Sequence, residues 1–156
     1  FLLMGFVTDA QDWFRRQGID QWQDGYPTRA IIEQDIAFER NYVVEYRGAI
    51  VATLSVAFDG EPTYSTIYRG EWLRDAPYAV VHRIMVADAM KRKGVAREIL
   101  AFVEELCAER GVADIRIDTH RDNRPMRNML KKLGYSHCGE IMLTSGAWRE
   151  AYQKVL

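Results

Sequence analysis

The sequence AVVHRIMVADAMKRKGVAREILAFVEELCAERGVADIRIDT runs from Ala79 to Thr119 and decides the fold. Its nearly continuous apolar start, Ala79 to Val86, is typical of a central strand that is covered on both faces. Apolar residues then recur at helical spacing from Gly94 to Arg110, and Gly111 suits a left-handed C-terminal cap. Asp114 to Thr119 alternates apolar and polar residues, as a strand does. The stretch therefore predicts a strand, a helix and a second strand.

Two helices are predicted at the start of the chain. Apolar residues recur at three and four residues from the first residue to about Arg16. A second helix is predicted from Pro27, which suits a first helical turn, to about Glu39. Its expected apolar stripe consists of Ala30, Ile31, Ala37 and Phe38.

Between the helices and the central unit, β-branched and aromatic runs predict two strands. They extend from Tyr42 to Tyr46 and from Ala49 to Phe58, and Arg47-Gly48 is expected to join them in a tight hairpin. A helical turn is expected around Glu71 to Leu73. After the central unit, a short helix from Pro125 to Leu133 is followed by two strands around Ser145-Gly146.

Together these elements predict an α/β chain with a mixed, mostly antiparallel sheet flanked by helices. No linker interrupts the 156 residues, so residues 1–156 are expected to form a single domain. The net charge of −1 gives no reason to expect nucleic acid as a partner, and no apolar run is long enough to predict a membrane span. Cys107 and Cys138 are too few for a disulfide scaffold, which favours a cytoplasmic protein.

The residues that join the central strand to its helix carry the clearest chemistry. Met90 to Arg97 reads MKRKGVAR, and a turn into a helix directs free N–H groups and the positive end of the helix dipole towards one point. We interpret it as a cradle for the phosphates of a nucleotide-type cofactor. The alternative is a solvated basic turn. Neither GxxxxGK[ST] nor GxGxxG is present, so another cofactor is needed.

This turn resembles the loop of the GNAT family of acyl-CoA-dependent N-acyltransferases, [Q/R]-x-x-G-x-[G/A]. KRKGVA, Lys91 to Ala96, matches it with Lys in the first place. The resemblance extends from about Tyr42 to the C-terminus, and includes Asn123 in THRDNRPM and the closing LKKLGY, Leu130 to Tyr135. The segments QWQDGYP, HRIMV, RIDTHRDN and CGEI resemble an uncharacterised bacterial branch of the family, which brings no substrate. The family fold opens with a strand, whereas this sequence is expected to start within the first helix.

The resemblance implies acetyl-CoA as cofactor and predicts the residues that bind it. Main-chain groups of the central strand would contact the pantetheine arm, the loop would hold the pyrophosphate, and two residues beyond the next strand would line the arm. These residues are Ile84, Met85, Val86, Arg92, Lys93, Gly94, Val95, Ala96, Arg97, Asn123 and Met126. For Asn123 an equally weighted alternative is a local turn-forming role before Pro125.

The resemblance also implies a base and an acid. His82 occupies the strand position from which a His acts as base in amine-acetylating members, and a two-residue period would place it on one face with Ile84 and Val86. A packed strand His is the alternative. The usual acid, a Tyr four residues before the closing Gly, is replaced by Leu130. We therefore assign the acid to Tyr152, with Cys138 as another candidate and an ordinary strand aromatic as the alternative for Tyr152.

Acceptor recognition is assigned to aromatic residues, for which filling a second small core is the default alternative, since aromatic residues dominate cores. The predicted substrate-binding residues are Trp22, Tyr26, Tyr64 and Trp72. No metal site is expected, because His137 and Cys138 are adjacent and lack the spacing of zinc ligands. A homodimer is a further expectation.

The predicted function is acetyl transfer to the primary amine of a small molecule, by direct attack in a ternary complex. Because Leu130 removes the usual acid, a non-catalytic module that binds or senses acyl-CoA is the alternative. A nucleotide-binding regulator that uses the same turn is a third hypothesis.

Overall fold

The computed structural model describes residues 2–156, so the part of the predicted first helix that falls on Phe1 lies outside the described residues. Within residues 2–156 the chain forms four α-helices and six strands. The helices are α1 (Leu2–Arg16), α2 (Arg29–Ala37), α3 (Val95–Arg110) and α4 (Arg124–Lys132). The strands are β1 (Asn41–Tyr46), β2 (Ala49–Ala57), β3 (Tyr78–Val86), β4 (Asp114–Thr119), β5 (Ser136–Met142) and β6 (Trp148–Val155). The predicted order of elements is confirmed.

The strands form one mixed sheet in the order β1-β2-β3-β4-β6-β5. Strands β3 and β4 are parallel, whereas the β1–β2, β4–β6 and β5–β6 pairs are antiparallel. The parallel ladder pairs Tyr78 with Asp114, Ala79 with Ile115 and Val80 with Arg116. Strand β3 then continues to Val86, so its last six residues lie outside that ladder. The predicted mixed, mostly antiparallel sheet is confirmed.

The chain divides into two compact units, which we describe separately. Among the described residues, the first unit comprises residues 2–56 and His82–Leu100, and the second comprises Ala57–Val81 and Ala101–Leu156. The single domain over residues 1–156 stays a prediction. Every helix in the described range is too short or too polar to span a bilayer.

The first unit is built around a cluster of buried side chains from α1, α2 and β3. Its members are Leu3, Phe6, Val7, Ile32 and Met85. The β1–β2 hairpin is confirmed: Arg47 and Gly48 both have left-handed φ angles, +51° and +79°, which the tight hairpin requires.

The predicted apolar stripe of α2 is wrong. Ala30, Ala37 and Phe38 are exposed, and the buried residues of α2 are Ile32 and Asp35. The helix starts after Thr28, whose side-chain oxygen accepts a hydrogen bond from the N–H of Ile31 at 3.3 Å. Asp35 is buried because its carboxylate forms an ion pair with Arg83. The spacing of apolar residues does not predict the burial of a charged residue.

The second unit has its own buried cluster. Its members are Ala57, Tyr64, Val80, Ile141 and Ala151. The prediction of a helical turn around Glu71 to Leu73 is wrong. The helical turn of this segment is a 3-10 turn at Pro62–Tyr64. Glu61 caps that turn by accepting from the N–H of Thr63 at 3.0 Å, whereas the N–H of Leu73 donates to Gln153 Oε1 at 2.9 Å.

Candidate active site

The turn between β3 and α3, in the first unit, has the geometry of an anion site. A single 3-10 turn ends at Met90, and left-handed φ angles of +63° at Arg92 and +81° at Gly94 then turn the chain into α3. The N–H of Glu98 donates to the carbonyl of Gly94 at 3.1 Å. The N–H groups of Val95 to Arg97 therefore precede the helical ladder and point outwards at the positive end of the helix.

The basic side chains of this turn fall into two groups. Lys91 Nζ lies 3.0 Å from Asp88 Oδ1 and 4.7 Å from the centre of the Trp13 ring. Arg92, Lys93 and Arg97 are exposed, and within residues 2–156 no ion pair engages them. These three cations, rather than Lys91, are therefore available to a bound phosphate.

The end of β3 leads into this turn. Met85 is 3% exposed and packs in the core of the first unit, while Ile84 and Val86 are half-buried. The N–H of Ala87 donates to the carbonyl of Val51 at 2.8 Å, which fixes the end of the strand.

The strand is irregular beside His82. Arg83 has a φ of +54°, which interrupts the two-residue alternation of side chains. The two-residue period of a regular strand therefore cannot be used to place His82 on one face with Ile84 and Val86. His82 is half-buried, and its role as base stays a prediction.

Tyr152 lies on β6 in the second unit and is 4% exposed. Its hydroxyl oxygen accepts from Nε of Arg127 at 2.7 Å, and its ring centre lies 5.3 Å from that of His137. The hydrogen bond to Tyr152 raises the pKa of the Arg127 guanidinium, so Arg127 stays charged. His137 Nε2 is in turn 2.7 Å from Glu150 Oε2. Sequence patterns do not predict Arg127 or His137 as neighbours of Tyr152, because α4 and β5 carry them, whereas Glu150 lies two residues before Tyr152 on the same strand.

Neither the residue at the position of the usual acid nor the other candidate acid, Cys138, is well suited to proton donation. Leu130 is fully buried, at 0% exposure, and has no proton to donate. Burial raises the pKa of the Cys138 thiol, whose Sγ donates to the carbonyl of Ser136 at 3.4 Å.

Asn123 caps α4 in the second unit. Its side-chain oxygen accepts from the N–H of Met126 at 3.4 Å, and the residue is 6% exposed. This matches the local role considered for it. Contact of Asn123 or Met126 with a cofactor stays a prediction, and Met126 is half-buried.

The predicted substrate-binding residues fall into the two units. Trp22 and Tyr26, in the first, are half-buried and pack edge to face with ring centres 6.0 Å apart. Tyr64 is 1% exposed in the core of the second unit, where its hydroxyl donates to Asp118 Oδ2 at 2.6 Å. Trp72 packs beside it and donates from Nε1 to the Tyr64 carbonyl at 3.0 Å. For Tyr64 this matches the core alternative.

No group of three His, Cys, Asp or Glu residues within residues 2–156 is arranged to hold a metal ion.

Comparison with known proteins decides the family. A sequence model of the acetyltransferase (GNAT) family matches residues 7–135. The chain belongs to this family. It is therefore an acetyltransferase of class EC 2.3.1. The GNAT family uses acetyl-CoA as its acetyl donor. A search of curated proteins found no match.

Solved structures agree with this assignment. A GNAT acetyltransferase from Streptococcus agalactiae is 34% identical, with 99% of this chain and 88% of that chain covered and a TM-score of 0.87. A GNAT acetyltransferase from Listeria monocytogenes is 24% identical, with coverages of 99% and 87% and a TM-score of 0.75. A GNAT acetyltransferase from Elizabethkingia anophelis, solved with acetyl-CoA bound, is 13% identical, with coverages of 84% and 85% and a TM-score of 0.60. The last two show similarity of fold alone.

Proposed function

We propose that this GNAT chain transfers an acetyl group from acetyl-CoA to the primary amine of a small molecule, by direct attack within a ternary complex. The observation that carries the proposal is the turn into α3. It presents the outward N–H groups of Val95 to Arg97 together with three exposed cations, and this combination suits a pyrophosphate. The fold similarity to an acetyl-CoA-bound GNAT protein supports the same cofactor.

Strand β3 supplies the second part of the proposal. A pantetheine arm contains amides that need main-chain partners, and Ile84 to Val86 lie outside the ladder that β3 forms with β4. We assign their main-chain groups to the arm and the loop from Arg92 to Arg97 to the pyrophosphate. Asn123 and Met126 complete the proposed cofactor-binding set.

The chemistry needs a base and an acid. Acetyl-CoA supplies an activated thioester. A substrate ammonium must lose a proton before its nitrogen can attack, and we assign His82 as the group that accepts this proton, because a neutral imidazole has a free ring nitrogen that can act as a base. The thiolate that leaves must gain a proton, and we assign Tyr152 as the donor. Arg127 already occupies one lone pair of the Tyr152 oxygen, so the hydroxyl hydrogen is directed elsewhere.

One observation favours a second candidate function. Leu130, at the position of the usual acid, is buried and apolar. A chain without that acid could bind acyl-CoA and sense it without turnover.

Two measurements on the purified chain separate these hypotheses. Thermal unfolding with coenzyme A, acetyl-CoA and ATP tests the cofactor, and release of free thiol from acetyl-CoA across a library of amines tests turnover. We expect coenzyme A and acetyl-CoA to raise the melting temperature, ATP to leave it unchanged, and at least one small amine to release thiol. Stabilisation by acetyl-CoA without release for any amine would favour the sensing module. Stabilisation by ATP alone would contradict acetyl-CoA as the cofactor and favour a nucleotide-binding regulator.

A further inference from the structure

A buried ion network joins β3 to α2 and to the segment between α1 and α2. Arg83 donates from Nε to Asp35 Oδ2 at 2.7 Å and from Nη2 to Asp35 Oδ1 at 2.6 Å. Its third nitrogen, Nη1, donates to the Tyr26 hydroxyl oxygen at 2.6 Å. The side chains of Arg83 and Asp35 are only 11% and 5% exposed. We call these three residues the Arg83 clamp; all belong to the first unit.

The clamp has a high desolvation cost, because it buries an ion pair. Removing two charges from water is costly, and a bidentate pair with further hydrogen bonds offsets that cost only when its geometry is good. Burial alone would lower the pKa of Arg83, but the hydrogen bonds and charges of Asp35 and Tyr26 raise it overall. Arg83 is therefore a permanent cation that holds both partners.

The clamp also holds an unusual backbone. Arg83 has a φ of +54° inside a strand, a conformation that a residue with a side chain rarely adopts unless its surroundings impose it. His82 precedes this residue and Ile84 follows it. The direction of the main chain between the proposed base and the proposed pantetheine contacts therefore depends on how Arg83 is held.

At its other end the clamp fixes two aromatic residues. Tyr26 is bound through its hydroxyl to Arg83 and through its carbonyl to Gln11 Nε2, at 2.9 Å. Its ring meets Trp22 edge to face, and Trp22 meets Phe14 in the same way at 5.6 Å. The positions of Trp22 and Tyr26 thus follow from the position of the Arg83 guanidinium.

We propose that Arg83 is a positioning residue for the acceptor amine, and that its clamp sets the placement of Trp22, Tyr26 and the main chain beside His82. This inference rests on the proposed function. It predicts that Asp35, a buried residue, affects acceptor binding. Sequence patterns alone give Asp35 no role. Cofactor binding should depend on the clamp less than acceptor binding does, because the loop from Met90 to Arg97, which we call the phosphate loop, has its own contact between Lys91 and Asp88.

The test compares three variants with the wild-type chain, using an amine that the wild type acetylates. Tyr26→Phe removes one hydrogen bond and keeps the ring. Asp35→Asn weakens the ion pair without altering an aromatic residue, and the third variant carries both changes. Arg15→Lys and Tyr46→Phe, at exposed positions outside the clamp, are the matched controls. Each variant is characterised by its acceptor KM, kcat, coenzyme A affinity by calorimetry, and melting temperature.

We expect each single variant to raise the acceptor KM about tenfold, the effect of losing one hydrogen bond to a charged group. Coenzyme A affinity should change less than the acceptor KM, and the double variant should be less impaired than the product of the single effects, because both substitutions act through one guanidinium. The controls should behave as wild type.

Three results would overturn the inference. If only Tyr26→Phe raises the acceptor KM, Tyr26 acts by direct contact and the clamp has no positioning role. If both variants weaken coenzyme A binding as much as acceptor binding, or lose activity only in proportion to the folded fraction, the clamp is merely structural. A wild type that acetylates no amine contradicts the proposed function itself, which separates that failure from failure of the clamp.

Discussion

Arg127 on α4 and Tyr152 on β6 are joined by a hydrogen bond of 2.7 Å from the guanidinium Nε to the hydroxyl oxygen. Arg127 is itself held, because its Nη1 donates to the Arg121 carbonyl at 3.0 Å. A hydroxyl that accepts from a fixed cation keeps its own hydrogen for another acceptor. This relationship makes Tyr152 a better donor candidate than Cys138, whose thiol hydrogen is directed to a backbone carbonyl.

Tyr152→Phe should therefore lower kcat about a hundredfold, the scale of losing a positioned acid, and leave the KM for acetyl-CoA unchanged. Steady-state kinetics with a small amine measures both constants. Tyr46→Phe, an exposed tyrosine in another strand, is the control. Wild-type kcat in the Tyr152→Phe variant would show that water, or no acid at all, protonates the thiolate.

His82→Ala tests the assigned base. The variant should lose about a hundredfold in kcat/KM at neutral pH, and part of that loss should be recovered at alkaline pH, where free amine is abundant. Acetyl transfer is followed as a function of pH. Tyr46→Phe serves as control, since Tyr46 is exposed and lies outside the assigned site. Unchanged turnover in His82→Ala at every pH would reduce His82 to a packed strand residue.

The cations of the phosphate loop are expected to differ in their contribution to coenzyme A binding. Lys93→Ala and Arg97→Ala should each weaken coenzyme A binding about fivefold and flatten its salt dependence, because each removes an exposed charge that we assign to the pyrophosphate. Lys91→Met should leave the salt dependence as steep as in the wild type, since Lys91 is committed to Asp88 and Trp13. Calorimetric titrations at low and high salt measure these slopes. A flatter slope in Lys91→Met would place Lys91 on the phosphates.

The features that sequence predicts well are those that local rules determine. Arg47-Gly48 forms the expected turn because both residues adopt φ angles that a tight hairpin demands. Lys91 to Ala96 forms a turn into a helix because the glycine stands between an apolar strand and a helical period. In both places the neighbours along the chain determine the conformation.

The features that sequence misses depend on partners far along the chain. Asp35 is separated by 48 residues from Arg83, and Arg127 by 25 from Tyr152, so neither pair produces a periodic signal. A charged residue in a helix is expected on the solvent side, and only the ion pair with Arg83 explains why Asp35 is buried. The left-handed φ of Arg83 likewise produces no signal in the sequence, because the apolar run around it predicts a regular strand.

Gly70 is predicted to be essential for stability. A Cβ at this position would lie 1.9 Å from the carbonyl oxygen of Cys138 and 2.8 Å from its carbonyl carbon, both main-chain atoms that cannot move aside separately. Gly70→Ala should therefore lower the free energy of unfolding by about 3 kcal/mol. Gly5→Ala is the control, because nothing lies within 4 Å of its added Cβ and the residue is inside α1, where alanine stabilises by up to about 1 kcal/mol. Urea unfolding measures both. Equal stability of Gly70→Ala and the wild type would contradict the close approach of the two segments.

Alkaline pH should destabilise the fold through Cys107. Burial, with a smaller effect of the Glu104 charge, raises the pKa of the Cys107 thiol from its ordinary 9.0 to about 11. Below pH 9 the thiol is protonated in both states and has no pH-dependent effect. Between pH 9 and about 11 the unfolded chain loses the proton while the folded chain keeps it, so stability must fall as pH rises.

Urea unfolding of the wild type and Cys107→Ala across that range measures this contribution. The variant should lose stability less steeply, by about 1.4 kcal/mol per pH unit, the value for one proton. The pKa of Tyr64 is also raised, by burial first and by Asp118 second, so some alkaline loss should persist in the variant. A difference in unfolding free energy between the two proteins that stays constant near pH 8 reports only the cost of the smaller side chain. If the two curves stay parallel up to pH 11, the Cys107 thiol ionises equally in both states and its burial does not control alkaline stability.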